Sequence, residues 1–164
     1  MRTQQVSLRL RAARAEDAPM LSEIARTSKA HWHYSAAQIA AWQDDLLVTP
    51  TLLATGHARI AEIAQRAAGF FLIEPPAPGD DASEWALSHL WVLPEHMGRG
   101  IGRTLMAAAR ELAAAQGART LRIDADPNAE AFYLASGAQR VGAVDAPIEG
   151  QPARQRPQMR LALA

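Results

Sequence analysis

The stretch Leu87–Ala115, LSHLWVLPEHMGRGIGRTLMAAARELAAA, decides the fold. Leu87 to Leu93 is an apolar run that Pro94 cuts, because proline has no N–H with which to continue a strand ladder. Glycines then alternate at 98, 100 and 102, and Ile101, Leu105, Ala108 and Leu112 recur at helical spacing up to a capping Gly117. The stretch reads as strand, loop, helix. The glycines let the backbone turn tightly and gather N–H groups into a concave nest, at which the helix points its positive dipole end. That is a site for phosphate, and Arg99 and Arg103 add positive charge suited to more than one phosphate group.

Two common phosphate loops are excluded or weakened. No lysine follows the glycines, so this is not a Walker loop. A dinucleotide fingerprint needs glycine where Arg103 stands. Asp124 keeps that reading alive, but only about sixty residues follow the loop, too few for two mononucleotide halves.

The run Val92-x-Pro94-Glu95-x-x-Gly98-Arg99-Gly100-Ile101-Gly102, with Asn128 and Phe132-Tyr133 about thirty residues on, resembles motifs A and B of the GNAT acyltransferases. The resemblance implies an α/β fold: a mixed, mostly antiparallel twisted sheet of six to seven strands flanked by about four helices, as one domain over 1–164. It implies acetyl-CoA as co-substrate, its pyrophosphate held by Met97, Gly98, Arg99, Gly100, Ile101, Gly102, Arg103 and Thr104. Met97 departs from the family's Gln or Arg, though the backbone cradle does not depend on that side chain. Leu90, Trp91 and Val92 would meet the cofactor through main chain, with Asn128, Phe132 and Tyr133 completing the site, and Tyr133 maps onto the family's general acid.

Composition bounds the rest. A chain of 164 residues with 49% apolar content suits a single domain with a real core. Seventeen basic residues balance seventeen acidic ones, so nothing favours a nucleic-acid partner, and Lys29 is the only lysine. Without cysteine there is no thiolate chemistry. No run suits a signal peptide or a membrane span, so a cytoplasmic protein is expected.

Val6, Leu8 and Leu10 alternate with polar residues as a first strand. Asp17 is placed to cap a helix with Pro19 in its first turn, and Ser35 a second carrying Ile39, Trp42 and Leu46. Strands are expected over 58–63, 69–74, 84–93, 120–125, 138–144 and 158–163, with a short helix between Asn128 and Gly137. The segment 147–157 reads as a solvated loop whose Arg154 and Arg156 could reach an anionic substrate or a partner chain.

Between the first two helices lie His31, Trp32, His33 and Tyr34, a cluster of aromatic and titratable side chains that the resemblance places at the acceptor site. Two histidines without a third ligand do not make a metal site, and no metal is expected. The base is the open question. Strand alternation puts Glu84, Ala86, Ser88 and Leu90 on one face and Trp85, Leu87, His89 and Trp91 on the other. Glu84 could act through waters, His89 only if a bulge changes its parity, and His33 from the acceptor loop; ordered water alone is the fourth option. The expected activity is acetyl transfer to a primary amine of a small molecule, with a non-catalytic acyl-CoA sensor as the rival. An exposed C-terminal strand edge, or the long loop 147–157, offers a surface for a homodimer.

Overall fold

The alternation of apolar and polar residues along the chain resolves into one seven-stranded sheet. A computed structural model describes residues 7–163, so Val6 of the expected first strand lies outside the described residues. The strands are β1 Leu8–Ala12, β2 His57–Ile63, β3 Arg66–Glu74, β4 Glu84–Val92, β5 Thr120–Asp124, β6 Gln139–Asp145 and β7 Gln155–Ala162. Their order is β1-β2-β3-β4-β5-β7-β6, and every neighbouring pair is antiparallel except β4 with β5. The helices are α1 Ala18–Ala30, α2 Ala36–Ala41, α3 Gln43–Leu46, α4 Pro50–Thr55, α5 Ile101–Ala115 and α6 Glu130–Ala135.

The sheet separates two cores. On one face Leu105, Ala109 and Ala113 of α5 bury against Phe71, Ile73, Trp85 and Leu87, with Tyr133 of α6 beside them. On the other, Leu21, Ile24 and Ala25 of α1 bury against Ile60, Phe70 and Leu72, with Leu46 and Val48 closing the edge. Removing a side chain of this size from water stabilises by roughly 1.5–3 kcal/mol.

Several expectations are corrected. Asp17 does not cap α1 with its side chain: its carboxylate accepts from the Arg14 N–H at 2.7 Å and pairs with Arg11 at 2.9 Å. Ser35 does cap α2, accepting from the Gln38 N–H at 3.1 Å, but the helix breaks at Trp42 and restarts as α3. Helix α4, capped by Thr49, stands where no element was expected, so the chain has more helical segments than four. Strand β7 begins at Gln155 rather than 158, which shortens the solvated loop.

The decisive irregularity is in β4. Leu72 pairs with His89 and Ile73 with Leu87, so Ser88 is an extra residue, a β-bulge. Before it, Trp85 and Leu87 face α5; after it, Leu90 and Val92 do, and His89 and Trp91 turn to the α1 side. The parity expected for His89 is therefore overturned: it shares the face of Ala86.

Candidate active site

Beyond the bulge, β4 leaves its parallel neighbour. Pairing with β5 covers only Glu84–Ala86 against Thr120–Arg122, while β4 runs on to Val92 and β5 to Asp124. The wedge between them opens a cavity of about 920 Å³, walled by β4 from Leu87 to Val92, the glycine loop, the end of β5 and α6. A volume of this order suits a cofactor-sized ligand.

The glycine loop closes one end. Gly98 and Gly100 have φ of 77° and 80°, the left-handed region that a side chain resists. Gly100 is the N-cap of α5 and no side chain caps the helix, so its first N–H groups face the cavity unclaimed. Gly102 serves a different purpose: a Cβ there would meet the Phe132 ring at 3.3 Å, so it lets α5 approach α6. Met97, Ile101 and Arg103 line the cavity with the three glycines, whereas Arg99 and Thr104 are not on its wall. The Thr104 hydroxyl bonds back to the Gly100 carbonyl at 3.1 Å.

Tyr133 lines the wedge from α6, set edge-on to Phe132, and makes no side-chain hydrogen bond to another described residue. Burial, with the nearby Asp126 charge, pushes its phenol well above the ordinary value. His89 also lines the wedge, 5.8 Å from the Phe70 ring, and burial lowers its pKa to about 4. Its Nδ1 accepts from the Trp91 indole N–H at 3.0 Å. Indole nitrogen only donates, so the neutral ring carries its proton on Nε2 and its lone pair is committed. Glu84 is not on the cavity wall. It sits about 13 Å of strand before Ser88, ion-paired with Arg160 at 2.8 Å and Arg122 at 3.8 Å.

The model of the acetyltransferase (GNAT) family matches residues 19–138. The chain belongs to the GNAT family. Solved GNAT-like structures share its fold: a GCN5-related N-acetyltransferase of Rhodopseudomonas palustris at 27% identity (TM-score 0.74, 95% of this chain and 96% of that one). PaiA N-acetyltransferase of Thermoplasma acidophilum, solved with coenzyme A, aligns at 20% identity (TM-score 0.72, 95% and 99%). YncA of Salmonella typhimurium, solved with its cofactor acetyl-CoA, aligns at 18% identity (TM-score 0.71, 96% and 95%). No curated protein matches the sequence.

In this GNAT protein the same wedge also holds a polar cluster from four parts of the chain. Asp126, just after β5, accepts from Lys29 at 2.5 Å and from the Tyr34 hydroxyl at 2.9 Å, with an Arg154 Nη2 at 3.5 Å. Asn128 donates to Asp126 from its N–H and its amide, and to the Tyr34 hydroxyl, so its amide nitrogen is occupied within the cluster. Trp42 stacks edge-on to Tyr34 at 4.7 Å and lies under both Lys29 and Arg154. Of the expected acceptor residues, Trp32 lines the cavity, Tyr34 is buried behind it, and His31 and His33 are exposed and off its wall. Arg154, read as part of a solvated loop, is buried. Asp126 and Trp42 were missed as site residues; the one available signal was the Asp-Pro-Asn start of a turn leading into Phe132-Tyr133.

Proposed function

We propose that this GNAT protein transfers the acetyl group of acetyl-CoA to a primary amine of a small molecule, by direct attack within a ternary complex. One observation carries the reading: a single wedge joins an uncapped glycine-loop helix start, free strand edge along β4, and a buried phenol. The bound coenzyme A and acetyl-CoA of the T. acidophilum and S. typhimurium proteins support it.

The N–H groups at Ile101, Gly102 and Arg103 take the pyrophosphate, with Arg103 adding charge. Main chain of Leu90 to Val92, unpaired on the β5 side, orients the pantetheine arm and polarises the acetyl carbonyl. The amine nitrogen bonds to the carbonyl carbon, the carbon–sulfur bond breaks, and the thiolate takes a proton from Tyr133. Burial raises the phenol above the value near 10 at which it would match a thiol in water. The thiolate leaves into the same dry site, where its own proton affinity rises, so the transfer stays feasible.

The amine's proton passes to water, either directly or through the Ser88 hydroxyl, which gives up its own proton as it takes one. The Ser88 hydroxyl lines the cavity and donates to the Glu74 carboxylate, which holds it in place at the bulge. Neither His89, whose lone pair is engaged, nor Glu84, outside the wedge, is assigned the role.

Calorimetry with acetyl-CoA, followed by free-CoA release across a panel of primary amines, tests the reading. Tight binding with release on some amines is expected. Binding with no release on any amine would instead make the protein an acyl-CoA sensor. The C-terminal strand β7 lies between β5 and β6 and has no free edge, so a homodimer would use β6, one of the sheet's two outer strands, all seven of whose residues are exposed; sedimentation velocity decides it.

A further inference from the structure

Hydrogen-bond accounting around Asp126 leaves donors over. Its Oδ2 receives Lys29, Tyr34 and Arg154, and its Oδ1 receives two donors from Asn128, which fills the lone-pair capacity of a carboxylate. The Lys29 ammonium has three N–H bonds and spends one on Asp126. Arg154 gives one nitrogen to the Ala146 carbonyl at 3.1 Å and one to the Tyr34 hydroxyl at 3.1 Å, and its buried Nε has no partner.

Charge accounting points the same way. Lys29 and Arg154 are buried cations, their side chains 13% and 3% exposed, and Asp126 is the one buried anion between them. Burial depresses the Lys29 ammonium, opposed by Asp126 and aided by Arg154 and Arg156, as expected where anions are too few. The other carboxylates of the wall are exposed and screened by solvent, Asp124 pairing with Arg156 at 3.1 Å and Asp145 accepting from Gln155. A net single positive charge, rich in donors and largely removed from water, is stabilised by one monoanionic acceptor.

We infer that the acceptor is a small amine that also carries one carboxylate, seated against Lys29 and Arg154 with its apolar body beside Trp32, Trp42 and Leu46. The inference rests on the acetyl-transfer reading and adds the substrate class. Lys29, Asp126 and Arg154 line the same cavity as Tyr133, so the carboxylate site shares that cavity with the reacting centre.

Matched acceptors test it: leucine, leucinamide and isoamylamine, and phenylalanine, phenylalaninamide and phenethylamine, each with acetyl-CoA. The carboxylate member of at least one set is expected to exceed its neutralised partners at least 100-fold in kcat/KM. Lys29→Gln should reduce that preference below tenfold with acetyl-CoA affinity unchanged, and Lys29→Arg should restore most of it. Equal turnover of amides or decarboxylated amines by the wild-type protein, or preference retained in Lys29→Gln, overturns the inference while leaving acetyl transfer intact. If no amine releases CoA, it is the acetyl-transfer reading that has failed. Calorimetric titration with N-acetylleucine and N-acetylleucinamide then decides the carboxylate site alone: tenfold tighter binding of the acid, lost in Lys29→Gln, upholds it, and equal binding overturns it.

Discussion

Burial acts on Tyr133 and His89 for one reason, its penalty on the charged form, and so moves them apart on the pH scale. Tyr133 keeps its proton through the whole working range. Tyr133→Phe is expected to lower kcat by roughly 10²–10⁴ with acetyl-CoA affinity preserved, and no limb of the wild-type rate profile below pH 10 should belong to the phenol. His89 is neutral when folded down to about pH 4, whereas in the unfolded chain it takes up a proton below its ordinary 6.5. The unfolded state therefore binds more protons in that window, and stability is complete above pH 6.5 and lost on descending toward 4. The loss amounts to about 2–3 kcal/mol by pH 4.5. Urea unfolding at pH 7.5 and 4.5 should show that difference in the wild type and its disappearance in His89→Gln; an unchanged difference would mean that the group is not His89.

At the scale of the element, the bulge in β4 is the sheet irregularity that borders the wedge. With Ser88 removed, Leu87 and Leu90 would still face α5 and His89 the α1 side, so both cores keep their residues. The extra residue that bends the strand would be gone. The Ser88 deletion should therefore fold, with a far-UV spectrum like the wild type's, yet bind acetyl-CoA at least tenfold more weakly by calorimetry because the wedge no longer opens. An unfolded deletion would assign the bulge to stability instead. The sequence shows why such a feature is hard to read. Alternation gives strand positions within a few residues, and the glycine loop is legible because left-handed backbone and close packing demand glycine at 98, 100 and 102. In LSHLW the adjacent Ser88 and His89 interrupt the alternation without saying which of them is extra, and only pairing with β3 shows that it is Ser88 that has no counterpart. The break at Trp42 and the short α4 were hidden similarly, since runs of six residues or fewer are decided by packing rather than propensity.

Across the whole molecule, Asp126 joins segments that are far apart in sequence: Lys29 at the end of α1, Tyr34 before α2, and Arg154 before β7. Such a junction is invisible to local pattern, which is why Arg154 read as solvated. Burial alone would raise the Asp126 carboxyl, but Lys29, the Asn128 N–H and the Tyr34 hydroxyl outweigh it and hold it below its ordinary value. Its contribution is thus present above the unfolded carboxylate value and lost as pH falls through the folded one. Asp126→Asn leaves two buried cations facing each other without an anion, a change that costs about 3–5 kcal/mol and lowers Tm by roughly 6–20 °C in a domain of this size. Adding Lys29→Met removes one of those cations, so the double variant should regain at least half of the lost Tm, although Lys29→Met alone is destabilising. That coupling distinguishes charge balance from mere loss of packing. If thermal unfolding shows the two substitutions lowering Tm additively, Asp126 acts as a space-filling residue and the buried charge excess is not what holds these segments together.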